Sequence, residues 1–296
     1  MIDYLLHLAI FIGLYAMLAQ SLNLAAGYAG LMSLAHAGFY GVGAYTTAIL
    51  SVEYGWNFWL NVPVAMLVSG SIALVVGLAA LRTVDDYFII CTLGVQVIVF
   101  SIMNNWMELT RGPLGIPGIP SIGILGFTLD NKMAFLVLTV VLASLQFFLI
   151  RNVMQSSFGN VLLAASEDEI FTQSLGKNVA SAKMVAFTLS AVFATIPGAL
   201  YAHYVSYIDP SSFTTDESIF ILAIVVIGGR KNTWGSLASA AFLVLLPEAL
   251  RFLNLPNSTA ANLHQIIYGL LLIAIVMRKY KRILIKTMSK DKFLSV

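Results

Sequence analysis

Side chains able to carry out covalent or metal chemistry are sparse and scattered in this sequence. Its four histidines, His7, His36, His203 and His264, are far apart and none has a second ligand three or four residues further along the chain, so no metal site assembles locally. Ser33 and His36 stand three apart, on one face of a predicted helix. No G-x-S-x-G elbow or nearby acid completes a nucleophilic triad there. No G-x-x-x-x-G-K-[ST] loop is present to hold ATP phosphates, so energy for any work must come from another chain. Cys91 is the single cysteine, lies in an apolar stretch and reads as a small core residue.

The polar residues that do form a pattern are Ser166, Glu167, Asp168 and Glu169. They read as a capping box, in which the Ser166 hydroxyl accepts from the Glu169 amide and the Glu169 carboxylate reaches back to the Ser166 amide. The acids also suit the positive end of the helix dipole. Gly176 supplies a stop, giving a predicted short helix over Glu167 to Leu175 with Ile170, Phe171 and Leu175 free to pack. Such a helix is either an interfacial prop or a docking element. Two glycine clusters are the other pattern: Gly27, Gly30, Gly38, Gly41 and Gly43, then Gly228, Gly229 and Gly235. Small residues let membrane helices approach closely, or mark a bend or unwinding point beside a pathway.

The elements that must position these residues are membrane helices. Of 296 residues 59% are hydrophobic and only 10% charged, against about 25% charged in soluble chains. A net charge of +2 gives no case for nucleic-acid binding. The N-terminus lacks the basic region of a signal peptide, so its apolar run reads as a retained first span. Apolar runs long enough to cross a bilayer, or nearly so, cover Tyr4 to Ala25, Ser33 to Val52, Phe58 to Leu81, Tyr87 to Asn104, Met133 to Ile150, Met184 to Ser206, Gly235 to Phe252 and His264 to Met277. Ser218 to Ile227 rises only about 15 Å against a hydrocarbon core of about 30 Å, and reads as a half-helix or re-entrant segment. The fold expected is an all-α, polytopic transmembrane bundle of about 8–10 spans forming one domain over 1–296.

Basic residues bias the topology. Arg82, Arg151, Lys177, Lys183, Arg230, Lys231 and the tail over 278–296 fall on one side, Arg111 and Lys132 on the other, which favours a cytoplasmic C-terminus. The loop over 151–183 lies on the basic side. The loop from Asn105 to Lys132 lies opposite, where Pro117 and Gly118 suit a type II turn. Charges inside the spans reduce to Glu248 and Arg251, which disfavours a proton-coupled secondary transporter.

The run from Asn23 to Tyr45, with Gly27, Gly30, Ser33, His36, Gly38, Gly41 and Gly43 in it, resembles the opening signature of LivM-type permeases. These are membrane subunits of ABC importers for branched-chain amino acids and related solutes. The resemblance continues in order through the Thr110 to Pro120 loop, the Ser166 to Gly176 segment and the Ile227-Gly228-Gly229 to Glu248 region. Departures occur where Arg111 and Lys231 stand in place of Gly, Ser166 in place of Arg, and Ser236 and Ser239 in place of Pro and Gly. The resemblance implies a multi-pass type II importer subunit in a bacterial inner membrane that is not itself an enzyme. It further implies a second, LivH-like permease, two cytoplasmic ATPases that bind ATP and Mg, and an extracytoplasmic binding protein. On this basis Glu167, Asp168, Glu169, Ile170, Phe171, Leu175 and Gly176 form the helix that couples to an ATPase. Gly27, Gly30, Gly228 and Gly229 are hinge candidates, while Asn23, Ser33 and His36 either line the pathway or bond helix to helix. Related cargo such as urea or an amide, or a secondary transporter, are the alternatives.

Overall fold

The computed structural model describes residues 2–251 apart from 84, 125, 126 and 130, together with 269, 270 and 277. By contacts the chain divides into Met1–Val244 and Leu245–Val296, and the helix bundle is the first of these units. Apart from Gly269, Leu270 and Met277, the expected span from His264 to Met277 and the basic tail lie outside the described residues.

Among the described residues, five long helices are apolar enough to cross a membrane: Ile2–Tyr28, Phe58–Ala80, Tyr87–Asn105, Lys132–Gln155 and Val179–Val205. They belong to α1 (Ile2–Leu22) with the π-helical turn Asn23–Tyr28 that continues it, α3 (Phe58–Ala80), α4 (Asp85–Asn105), α6 (Lys132–Gln155) and α9 (Val179–Val205). Helix α2 (His36–Glu53) is more polar, and it tolerates this because almost all of it is buried between its neighbours. Its close approach to α9 depends on missing side chains. A Cβ at Gly43 would lie 2.6 Å from the Thr195 backbone, and one at Gly198 would lie 3.0 Å from the Ala44 amide. In a bilayer, where apolar surface gains little by leaving lipid, this contact is what holds two helices together.

Outward faces of the long helices are aliphatic, as lipid contact requires. Leu67, Val75 and Leu78 on α3, Ile98 on α4, and Val140 and Leu145 on α6 are all exposed. Short elements join the spans. Between α4 and α6 come α5 (Met107–Thr110), a 3-10 turn (Gly112–Leu114), and strands β1 (Ile116–Pro117), β2 (Gly123–Ile124) and β3 (Phe127–Thr128). Strand β1 pairs antiparallel with β4 (Tyr207–Ile208), which pins this loop to the end of α9. Gly118 takes φ 75, as the expected type II turn requires. Helices α7 (Ser157–Glu167) and α8 (Glu169–Ser174) lie between α6 and α9, while α10 (Thr215–Gly228) and α11 (Thr233–Arg251) follow β4.

The segment expected over Ser218 to Ile227 is therefore the 14-residue α10, beginning three residues earlier at Thr215. At about 21 Å it still falls short of the hydrocarbon core. Its polar start at Thr215, Asp216 and Glu217 hid the first turn from a search for apolar runs.

Candidate functional site

Irregular backbone lies buried inside this bundle, and side chains from other helices satisfy it. The helix of α1 widens to π geometry at Asn23, where the Ala29 amide reaches back to the Leu24 carbonyl at 3.3 Å and the Leu31 amide to Ala25 at 2.9 Å. Such widening marks functional positions in many helices. The chain then runs unwound to α2, whose cap residue Ala35 offers no side-chain acceptor. Its orphan amides are met from elsewhere: Ala37 donates to the Ser218 hydroxyl at 2.9 Å and Gly38 to Gln96 Oε1 at 2.6 Å. Leu34 donates to Thr92 Oγ1 at 3.1 Å. Without these partners each amide would stand unpaired at membrane depth, at a cost of several kcal/mol.

Ser33 belongs to the unwound stretch rather than to α2, so it does not share a helical face with His36. Its hydroxyl accepts from the Ala35 amide at 3.2 Å. His36 opens α2, fully buried, with Nε2 2.7 Å from the Ser21 hydroxyl. Both side chains bond inside the protein.

The two glycine clusters, some two hundred residues apart in sequence, meet. Asn23 Oδ1 accepts from the Lys231 amide at 3.1 Å, and its Nδ2 donates to the Ser236 hydroxyl at 3.1 Å. The Tyr28 hydroxyl donates to the Lys231 carbonyl at 3.1 Å. Gly27 sits against this bond, since a Cβ there would collide with Asn23 Oδ1 and stand 2.9 Å from the Lys231 amide. Gly228 and Gly235 bring the ends of α10 and α11 together, a Cβ on Gly228 reaching the Gly235 carbonyl at 2.5 Å. Gly229 at φ 90 and Gly30 at φ 75 need the freedom of glycine. Arg230 donates to the Met32 thioether at 3.3 Å, and partial burial lowers its guanidinium pKa from the usual value.

Positions where the chain departs from the LivM-type pattern now have physical accounts. Arg111 and Lys231 stand where glycine is usual, and both adopt left-handed backbone, at φ 60 and φ 66. Ser236 supplies the acceptor for Asn23, and Ser239 donates to the Ile224 carbonyl at 2.7 Å, bonds that Pro and Gly cannot make.

The segment between α6 and α9 differs from expectation. Ser166 is no cap: it lies within α7, its hydroxyl donating to the Leu163 carbonyl at 2.8 Å. The cap is Asp168, whose carboxylate accepts from the Phe171 amide at 2.8 Å. The predicted helix over Glu167 to Leu175 is thus broken at its start, with Glu167 closing α7 and only Glu169–Ser174 in α8. Asp168, two residues nearer to Phe171 than the expected cap, wins because its extended backbone, φ −150 and ψ 104, aims a short carboxylate at the new helix. Gly176 at φ 76 stops the helix as predicted. Ile170, Phe171 and Leu175 stand 80%, 61% and 62% exposed, a cluster that nothing in the chain covers among the described residues.

This segment touches the glycine junction. Glu167 Oε1 lies 3.8 Å from Lys231 Nζ, a Cβ at Gly30 would lie 3.9 Å from Ser166 Cβ, and Lys183 pairs with Glu169. Lys231 therefore meets α7 through its side chain and the π turn through its backbone.

Sequence reasoning missed Glu217. It sits in the first turn of α10, with Oε1 sealed from solvent and unpartnered, and with Tyr15 beside its carboxyl group. The inference that charge inside the spans is confined to Glu248 and Arg251 is corrected by this acid. Its signal was available in the helix phase of Thr215 to Phe220, which places Glu217 on the face that looks at α1.

The described residues thus form an apolar helical bundle in which the π turn of α1 and the unwound stretch before α2 are bonded from within by side chains of other elements. The chain belongs to the family described as branched-chain amino acid transport system, permease component, whose model matches residues 4–276. It is 36% identical to the high-affinity branched-chain amino acid transport system permease proteins LivM of Escherichia coli and Salmonella typhimurium, over 81% of this chain and 62% of each relative. It thus spans less than two thirds of the length of those curated relatives. A guanosine ABC transporter permease, NupQ of Bacillus subtilis, is 21% identical over 72% of this chain and 71% of its own. No solved structure matches.

Proposed function

We propose that this chain is the membrane-spanning subunit of an ATP-binding-cassette importer and forms half of a pathway for branched-chain amino acids by alternating access. The observation that carries the reading is the physical link between an exposed apolar cluster and the buried unwound helices. Ile170, Phe171 and Leu175 offer a surface for a cytoplasmic ATPase, and the same segment reaches the junction of Asn23, Gly27, Gly228 and Gly229 through Glu167 and Lys231. Movement of the segment is thereby passed to the points where the helices are already open.

On this reading the side with Arg82, Arg151, Lys183 and the C-terminal tail is cytoplasmic, in accord with the bias of basic residues. A second permease completes the pathway, two ATPases bind ATP and Mg, and an extracytoplasmic binding protein delivers cargo. The names carried by the two enterobacterial relatives support branched-chain amino acids as that cargo.

The test is uptake of radiolabelled leucine into vesicles holding the chain with its second permease and ATPases, and supplied with the binding protein. Accumulation that needs ATP supports the reading. Accumulation driven by an ion gradient without ATP would replace it with a secondary transporter.

A further inference from the structure

One face of α1 differs in kind from the aliphatic faces turned to lipid. At one-turn spacing it carries His7, Phe11 and Tyr15, with ring centroids 4.7 Å and 6.4 Å apart in succession. Helix α9 adds Tyr204 and Tyr201, 6.1 Å and 6.2 Å from Phe11, and α10 adds Phe220, edge-on to Tyr15 at 5.1 Å. These rings form a continuous ladder whose middle rungs are half-buried.

The ladder has two distinct ends. One opens at a cavity of about 400 Å³ between α1, α6 and α9, with His7 and Tyr204 in its wall beside Asn131 and Lys132. The other end is Glu217. Its carboxyl group neighbours Tyr15, and Oε1 is sealed from solvent with no hydrogen-bond partner. A buried carboxyl oxygen without a donor is costly, and acids kept at membrane depth mark sites for ions or substrates. What the site lacks is a donor group, and aromatic faces along the approach attract cations.

We propose that Glu217 receives the ammonium group of an amino acid on its way through the membrane, with the aromatic ladder as its route. An ammonium supplies the donors that Oε1 lacks, and an aliphatic side chain lies against Tyr15 and Phe220. The proposal rests on the permease reading above and adds to it a station for cargo within this chain.

Two measurements test it. In the complete reconstituted importer, Glu217→Gln should lower leucine uptake at subsaturating concentration by about tenfold or more, because a charge-assisted hydrogen bond is lost. Glu217→Asp should keep uptake within about threefold. Uptake by the Gln chain at the wild-type rate would overturn the proposal. Should the Gln chain fail to assemble with its partners, the wild-type complex decides: a hydrophobic carbodiimide should label Glu217, and isopentylammonium should protect it while isocaproate should not. Labelling indifferent to isopentylammonium also overturns the proposal. Absence of ATP-dependent uptake by the wild-type importer counts instead against the permease reading and leaves the labelling result to decide the role of Glu217.

Discussion

Asn23 Oδ1 accepts a hydrogen bond from the Lys231 amide at 3.1 Å, tying the π turn of the first helix to the loop between α10 and α11. The amide side of Asn23 is also engaged, by Ser236, and the residue is 1% exposed. Asn23→Ala therefore strands the Lys231 amide and removes the donor to the Ser236 hydroxyl, which keeps its own bond to the Asn232 carbonyl. Loss of such buried bonds costs about 1–3 kcal/mol. We expect a lower Tm in detergent and reduced uptake, whereas Asn105→Ala, on an exposed residue bonded only to its own helix, should leave both within error.

Glycine substitutions separate close approach from mere presence. At Gly43 an added methyl meets the Thr195 backbone at 2.6 Å, and at Gly228 it meets Gly235 at 2.5 Å. Backbone atoms cannot step aside as a flexible side chain can, so helices must separate. Gly43→Ala and Gly228→Ala should each cost about 1–3 kcal/mol. At Gly94, also helical, nothing stands within 4 Å of the added Cβ, and Ala there should be neutral or stabilising by up to about 1 kcal/mol. Thermal melts of the three variants check the order.

The contrast shows which parts of the molecule were legible in the sequence. The spans were, because lipid demands apolar runs of a minimum length, and α3, α4, α6 and α9 fall within a few residues of their expected bounds. The two glycine clusters were legible as sites of close packing or unwinding. Their meeting was not, since it depends on Asn23 and Lys231, whose 208-residue separation no local pattern encodes. The cap at Asp168 was missed because three acids and a serine offered rival caps, and only the break in the backbone between α7 and α8 chooses among them. Glu217 was missed because a search for apolar runs discards the polar first turn of a buried helix.

Helix α8 provides a test of coupling that leaves the fold alone. Ile170 and Phe171 are exposed, so replacing them removes no core contact. Ile170→Asp with Phe171→Ser should change Tm little, by less than about 0.5 kcal/mol in stability. ATP-driven leucine uptake should nonetheless be lost, along with capture of the ATPase subunits by the tagged permease. Retention of both would remove this helix from the interface.

Lys231 joins two effects that a single substitution can pull apart. Its backbone at φ 66 is strained for a residue with a Cβ, while its side chain faces Glu167 at 3.8 Å. The pair is largely solvated, with Glu167 79% exposed, so it contributes at most about 1 kcal/mol to stability. Lys231→Gly relieves the backbone strain, worth about 1 kcal/mol, and keeps the amide that Asn23 accepts from. It removes only the side-chain link to α7. The variant should melt no lower than wild type and yet import more slowly. Lys231→Glu should import more slowly still, through repulsion from Glu167, and adding Glu167→Lys should restore part of the rate. A Gly variant that imports at the wild-type rate would mean that the backbone contact with Asn23 alone transmits the motion, since that contact is the one the substitution preserves.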